Sequence, residues 1–184
     1  MLSLSLTACT SDHGRGATPQ PSVERFTPLN QLKSINFDEG FPAPEDFPAG
    51  NSKAIGEVQK GPHHLIAYIK NGSCGLLVTD ATKPERSSIN ITSAWPKTDS
   101  EGTERYPAGP YSFTSGAGAN EPETWASLYC SKTAMVITYS SQGHDAASHQ
   151  QGNTSTKEDR QGSSPLTVAI GSPEAREKIL GPAT

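Results

Sequence analysis

The sequence is short of nearly everything that a catalytic or nucleic-acid-binding protein displays. Charged residues make up only 18% of its 184 positions, and the net charge of −4 is spread without a basic run. Nucleic acid is excluded as a partner on that ground, because phosphate binding needs clustered Lys and Arg. No stretch reaches the roughly 18 apolar residues of a membrane-spanning helix. Gly-x-Ser-x-Gly, Ser-x-x-Lys and His-Glu-x-x-His are all missing, so none of those nucleophile or zinc signatures applies. With only 3 Cys in the chain, no Cys/His spacing points to zinc or redox chemistry, and no cofactor is implied. What is plentiful is 17 Gly and 15 Pro. Much turn-forming residue with little charge suits short strands joined by many turns, and argues against long helices.

The N-terminus carries Leu6-Thr7-Ala8-Cys9, after a stretch in which Leu2, Leu4 and Leu6 alternate. This resembles a bacterial lipobox: an aliphatic residue, a small or β-branched one, then Gly, Ala or Ser, then Cys. The resemblance implies cleavage between Ala8 and Cys9, with a diacylglycerol on the Cys9 thiol. The protein would then be lipid-anchored at the extracytoplasmic face of the cell membrane. Residues 1–8 are read as a truncated signal segment, since no Lys or Arg precedes the motif. Residues 9–25 are polar and rich in Gly and Pro, as befits a lipidated Cys and a flexible tether.

If Cys9 carries lipid, Cys74 and Cys130 remain as an even pair. In an exported chain such a pair reads as a disulfide. Closing a loop of that length stabilises a fold by roughly 4 kcal/mol on the chain-entropy view.

Residues 26–50 set Phe26, Phe37, Phe41 and Phe47 among Pro28, Pro42, Pro44 and Pro48. Proline denies the stretch a regular helix or central strand. The phenylalanines nevertheless favour burial by about 1.5–3 kcal/mol each. An extended Pro/Phe strap across the domain is expected.

Residues 51–184 are expected to form one β-rich domain. Asn71-Gly72 is the strongest short hairpin signal, between His63–Lys70 and Ser73–Asp80. A two-residue turn pairs Ile69 with Cys74, Ala67 with Leu76, and Leu65 with Val78, gathering six apolar residues on one face. Ile89 and Ile91 point inward from another strand. Thr124–Cys130 and Thr133–Ser140 read as a second hairpin, although Ser131-Lys132 makes a poor primed turn. Leu166, Val168 and Ile170 alternate as a further strand. Ser172, Pro173 and Glu174 open a short C-terminal helix, and Gly181-Pro182 stops it. The stretch 140–164 is almost wholly polar and is expected to be a mobile loop. The fold class is therefore mainly β, an antiparallel sandwich-like or barrel-like domain with a short C-terminal helix.

Candidate chemistry is sparse. His144, Asp145 and His149 sit together in the polar stretch, where little would hold a metal rigidly. His63 and His64 are adjacent on a strand, so their rings leave opposite faces and cannot share one ion. Glu121 and Glu123 flank Pro122 in a loop and read as solvated. The most unusual segment is aromatic: Tyr106, Tyr111, Phe113 and Trp125 among Gly and Pro, with Trp95 just upstream. Trp95, Tyr106, Tyr111 and Trp125 are the candidate ligand-binding residues, since rigid rings suit stacking on a saccharide or packing against a partner. The alternative is that they cap the ends of the sandwich. No catalytic residue is assigned. The chain is read as a non-enzymatic binding or interaction module of the cell envelope, held to the membrane through Cys9, with an envelope protein or a saccharide as ligand. An envelope hydrolase using His63, His64 or His144, and an accessory subunit of an envelope complex, are the competing readings.

Overall fold

The computed structural model describes residues 26–37, 43–80, 83–96, 107, 111–116, 124–141, 147–158 and 164–181. Cys9, Tyr106, His144, Asp145, Glu121 and Glu123 lie outside them. The strands are β1 (Ser52–Lys60), β2 (His63–Lys70), β3 (Ser73–Asp80), β4 (Lys83–Ala94), β5 (Tyr111–Gly116), β6 (Thr124–Cys130), β7 (Ala134–Ser140), β8 (Ala147–Gly152), β9 (Thr154–Lys157) and β10 (Leu166–Gly171). One helix, α1 (Pro173–Leu180), follows. Two five-stranded sheets result, ordered β4-β3-β2-β1-β8 and β5-β6-β7-β10-β9. Their pairings are antiparallel throughout, and the domain is a β-sandwich.

The Asn71-Gly72 hairpin has the expected register, with Ile69 opposite Cys74, Ala67 opposite Leu76 and Leu65 opposite Val78. Asn71 and Gly72 both have positive φ (45° and 78°), as a primed turn requires. Ile89 and Ile91 extend the same rows on β4, opposite Val78 and Leu76. Leu128, Ile137, Val168 and Ile170 belong to the same buried core, contributed by the second sheet. Cys74 on β3 and Cys130 on β6 are bonded across this core, with Cα atoms 6.1 Å apart.

The second hairpin pairs Leu128 with Ile137 and Cys130 with Met135. Ser131 compensates for the unfavourable turn residues. Its buried hydroxyl accepts from the N–H groups of Thr133 and Ala134, at 3.3 and 3.1 Å, while its own N–H donates to the Ala134 carbonyl at 2.8 Å. A side-chain oxygen thus does the work of a tight turn's backbone.

Residues 26–50 contribute more than a covering strap. A short 3-10 turn at Leu29–Gln31 places Leu29 and Leu32 in the main core between the sheets. The Leu29 N–H donates to the Lys132 carbonyl at 2.8 Å and the Ile35 N–H to that of Ala54 at 3.0 Å. The chain then turns onto the outer face of the first sheet. There Ile35, Phe37 and Phe47 pack with Ala54, Ile66, Tyr68 and Leu77 in a second cluster. Phe47 meets Tyr68 edge-on at 5.6 Å, and Tyr68 lies over Gly75, its cross-strand neighbour. Asp46 fastens the segment by accepting from the backbone N–H and hydroxyl of Ser87.

The stretch 140–164 corrects an expectation. It is not a loop throughout: β8 pairs with β1 in one sheet and β9 pairs with β10 in the other. One nearly continuous strand therefore bends between the two sheets at Gly152-Asn153, forming a corner of the sandwich. The apolar pattern could not show this, because edge strands are held by backbone hydrogen bonds that polar residues make equally well. Gly152 has φ of 80°, and a Cβ there would sit 2.8 Å from the Ile55 carbonyl oxygen. The Asn153 amide donates to the carbonyls of Lys33 and Ile55, both at 2.8 Å, tying the corner to the N-terminal segment. Glu158 staples the two ends, pairing with Lys60 and accepting from the Ala147 N–H at 3.4 Å.

Helix α1 has the expected caps. The Ser172 hydroxyl accepts from the Ala175 N–H, and Gly181 closes the end at φ 80°. Ala175 packs at Gly171 and Lys157 donates to the Leu180 carbonyl at 3.1 Å, so the helix lies over the β9–β10 side of the second sheet.

Candidate functional site

The outer face of the second sheet is divided. Helix α1 covers its β9–β10 side, where Ala134 and Ala169 are fully buried. The opposite side, on β5 and β6, carries aromatic rings. Side chains alternate along a strand, so the inward core residues Leu128 and Cys130 fix Trp125, Ser127 and Tyr129 as outward. Cross-strand register then puts Tyr111 opposite Tyr129, Phe113 opposite Ser127 and Ser115 opposite Trp125. Alternation therefore brings four rings, Tyr111, Phe113, Trp125 and Tyr129, onto one face.

These rings touch. Tyr111 and Tyr129 have centroids 4.7 Å apart, Phe113 and Trp125 6.0 Å, and Tyr111 and Phe113 6.4 Å with planes 21° from parallel. Tyr111 is 52% and Phe113 53% exposed, whereas Trp125 and Tyr129 are half-buried behind them. Ser127 is buried between them, and Val136, Thr138 and Ser140 continue the face on β7. The sequences of β5, β6 and β7 contain no Lys, Arg, His, Asp or Glu. The face offers aromatic surface and hydroxyls with no formal charge. Isolated exposed apolar residues are ordinary; here two exposed rings, Tyr111 and Phe113, stand in contact on one sheet face.

Two of the four expected binding aromatics, Tyr111 and Trp125, meet on this face. Trp95 does not join them. Its backbone N–H donates to the Gly72 carbonyl at 2.8 Å, its ring packs against the main core, and its indole N–H donates to Cys74 Sγ at 3.3 Å. Trp95 closes one end of the sandwich over the disulfide. Tyr106 lies outside the described residues. Tyr129, which is not among the expected binding residues, joins the face, and Phe113 stands on strand β5 despite the Gly and Pro around it. The signal was present as spacing: Phe113 stands two residues after Tyr111, and Tyr129 four after Trp125.

The polar groups considered for catalysis are dispersed. His63 and His64 leave opposite faces, as adjacency on a strand dictates. His64 Nδ1 lies 2.8 Å from Glu57 Oε1 on the outer face, with both side chains nearly inaccessible to solvent. His63 is opposite Asp80 in the register, and its ring meets Tyr139 edge-on at 5.8 Å. Burial pushes the Tyr139 phenol well above its ordinary range, and the Asp80 charge adds to the effect. His149 is exposed on β8. Among the described residues, no group of three or more His, Cys, Asp or Glu could hold a metal ion. No helix among them is long and apolar enough to cross a membrane. Comparisons with protein-family models, curated proteins and solved structures gave no match.

Proposed function

We propose that this chain is a lipid-anchored, extracytoplasmic binding module of the cell envelope, and that the aromatic face of β5 and β6 is its binding surface. The observation that carries the reading is the contact set of Tyr111, Phe113, Trp125 and Tyr129 on an exposed, charge-free sheet face. Large rings lose little rotamer freedom on binding and offer much contact area, so they dominate binding surfaces. Tyr111 and Phe113 keep about half of their surface in water, apolar area that would be favourable to bury.

Anchoring rests on Leu6-Thr7-Ala8-Cys9 and on the cysteine pattern. A Cys74–Cys130 disulfide suits an oxidising compartment outside the cytoplasm, and it leaves Cys9 as the thiol for a lipid. The buried state of the Glu57–His64 pair favours this reading over an envelope hydrolase. The test is retention of the full chain on isolated envelopes, in a Cys9→Ala background so that lipid does not mask it. Replacing Tyr111 and Phe113 by Ala should weaken retention about tenfold or more without altering the unfolding midpoint. Undiminished retention would refute the assignment of this face.

A further inference from the structure

We infer that the aromatic face binds a neutral polysaccharide; the inference rests on the binding role proposed for that face and names its ligand class. Three features of the face select this chemistry. The first is charge. None of the strands β5, β6 and β7 carries Asp, Glu, Lys or Arg, although these residues are 18% of the chain. An anionic polymer would require Lys or Arg to replace its counterions, and the described residues of this face offer none.

The second feature is the alternation of chemical types. Rings at Tyr111, Phe113, Trp125 and Tyr129 are interleaved with the hydroxyls of Ser115, Thr138 and Ser140 across the same face. A sugar ring has the complementary pattern. Its C–H groups form an apolar face with slight positive charge that suits the negative face of an aromatic ring. Its hydroxyls project around the rim, where Ser, Thr and Tyr hydroxyls can both donate and accept.

The third feature is size. A stable protein–protein interface needs about 800 Å² and roughly 20–30 residues from each partner. Helix α1 bounds this face on one side, and among the described residues the remainder is three strands wide with three outward positions on each. That area is small for a protein partner and suits a stretch of an extended sugar chain. The near-parallel planes of Tyr111 and Phe113, 6.4 Å apart along β5, let consecutive units of one chain be addressed in sequence.

The experiment fractionates the binding partner. Envelopes from cells that make the protein are extracted with detergent and organic solvent to remove lipid, then digested with protease, leaving polysaccharide. The full chain, as Cys9→Ala, is sedimented with intact envelopes and with each successive residue. The expected result is retention that survives both treatments and is unchanged between about 0.05 and 0.5 M salt. The Tyr111→Ala/Phe113→Ala variant should be retained about tenfold or more weakly, as expected from losing both exposed rings. Loss of retention on protease digestion would overturn the inference in favour of a protein partner, and loss on solvent extraction in favour of a lipid surface. Elution by salt would overturn it in favour of an anionic polymer. In these three outcomes a tenfold difference between wild type and variant on intact envelopes would leave the face as the binding surface. Equal retention of the two would remove the binding role as well.

Discussion

The indole N–H of Trp95 donates to Sγ of Cys74 at 3.3 Å, placing the chain's two tryptophans in different roles. Trp95 seals the disulfide end of the sandwich, while Trp125 stands among the rings of an exposed sheet face. Substitution should separate them. Trp95→Phe keeps most of the packing and loses one hydrogen bond, costing about 0.5–1.5 kcal/mol. Trp95→Ala also opens a cavity and should cost about 3 kcal/mol. Trp125→Ala should change stability less and weaken retention on envelopes instead. Urea unfolding paired with sedimentation distinguishes these outcomes.

The disulfide joins β3 to β6 across the core and closes a loop with a sequence separation of 56. Reduction, or the Cys74→Ala/Cys130→Ala double substitution, should lower stability by about 2–5 kcal/mol. The readout is the denaturation midpoint with and without reductant. Non-reducing peptide mapping of exported protein should recover the Cys74–Cys130 peptide pair.

Gly152 stands where one strand passes between the sheets. At φ 80° an alanine is strained, and its Cβ would lie 2.8 Å from the Ile55 carbonyl oxygen. Gly152→Ala should therefore destabilise by more than about 1 kcal/mol, the usual gain from removing a glycine's freedom being reversed here. Hydrogen exchange should show the loss first at β8 and at Ile35, whose side chain also occupies that space.

Alkaline pH should unfold the domain through its buried phenols. Burial raises the Tyr139 phenol above its ordinary value near 10, and burial followed by the Asp46 charge raises that of Tyr68. Above about pH 10 the unfolded chain releases these protons while the folded one keeps them, so stability falls as pH rises. Below that pH the contribution is fully present. Tyr139→Phe should remove part of the slope of unfolding free energy against pH above 10, leaving the slope near neutrality unchanged.

Legibility in the sequence followed apolar periodicity. The inward rows of β2, β3, β6, β7 and β10 alternate cleanly, and the Asn71-Gly72 turn fixes one register outright, so the core and the Cys74–Cys130 proximity could be read. β8 and β9 were hidden because an edge strand of Gln, Ser and Thr has no apolar rhythm. β5 was hidden by the Gly and Pro residues around it, although Tyr111 and Phe113 keep the strand period. The place of Trp95 is hidden for a different reason: proximity in sequence to the aromatic segment does not determine which end of the sandwich a ring occupies. The outward partner Tyr129 shares β6 with the apolar row Ala126, Leu128 and Cys130, whose stronger period masks the opposite parity.

The central claim, that Tyr111, Phe113, Trp125 and Tyr129 form the binding surface, is tested most directly by one binding isotherm. The full Cys9→Ala chain and its Tyr111→Ala/Phe113→Ala variant are titrated on isolated envelopes, with the unfolding midpoints of both measured alongside. The expected result is an apparent Kd weakened about tenfold or more in the variant, with stability changed by less than about 0.5 kcal/mol, as for other surface substitutions. Superimposable isotherms at matched stability would contradict it.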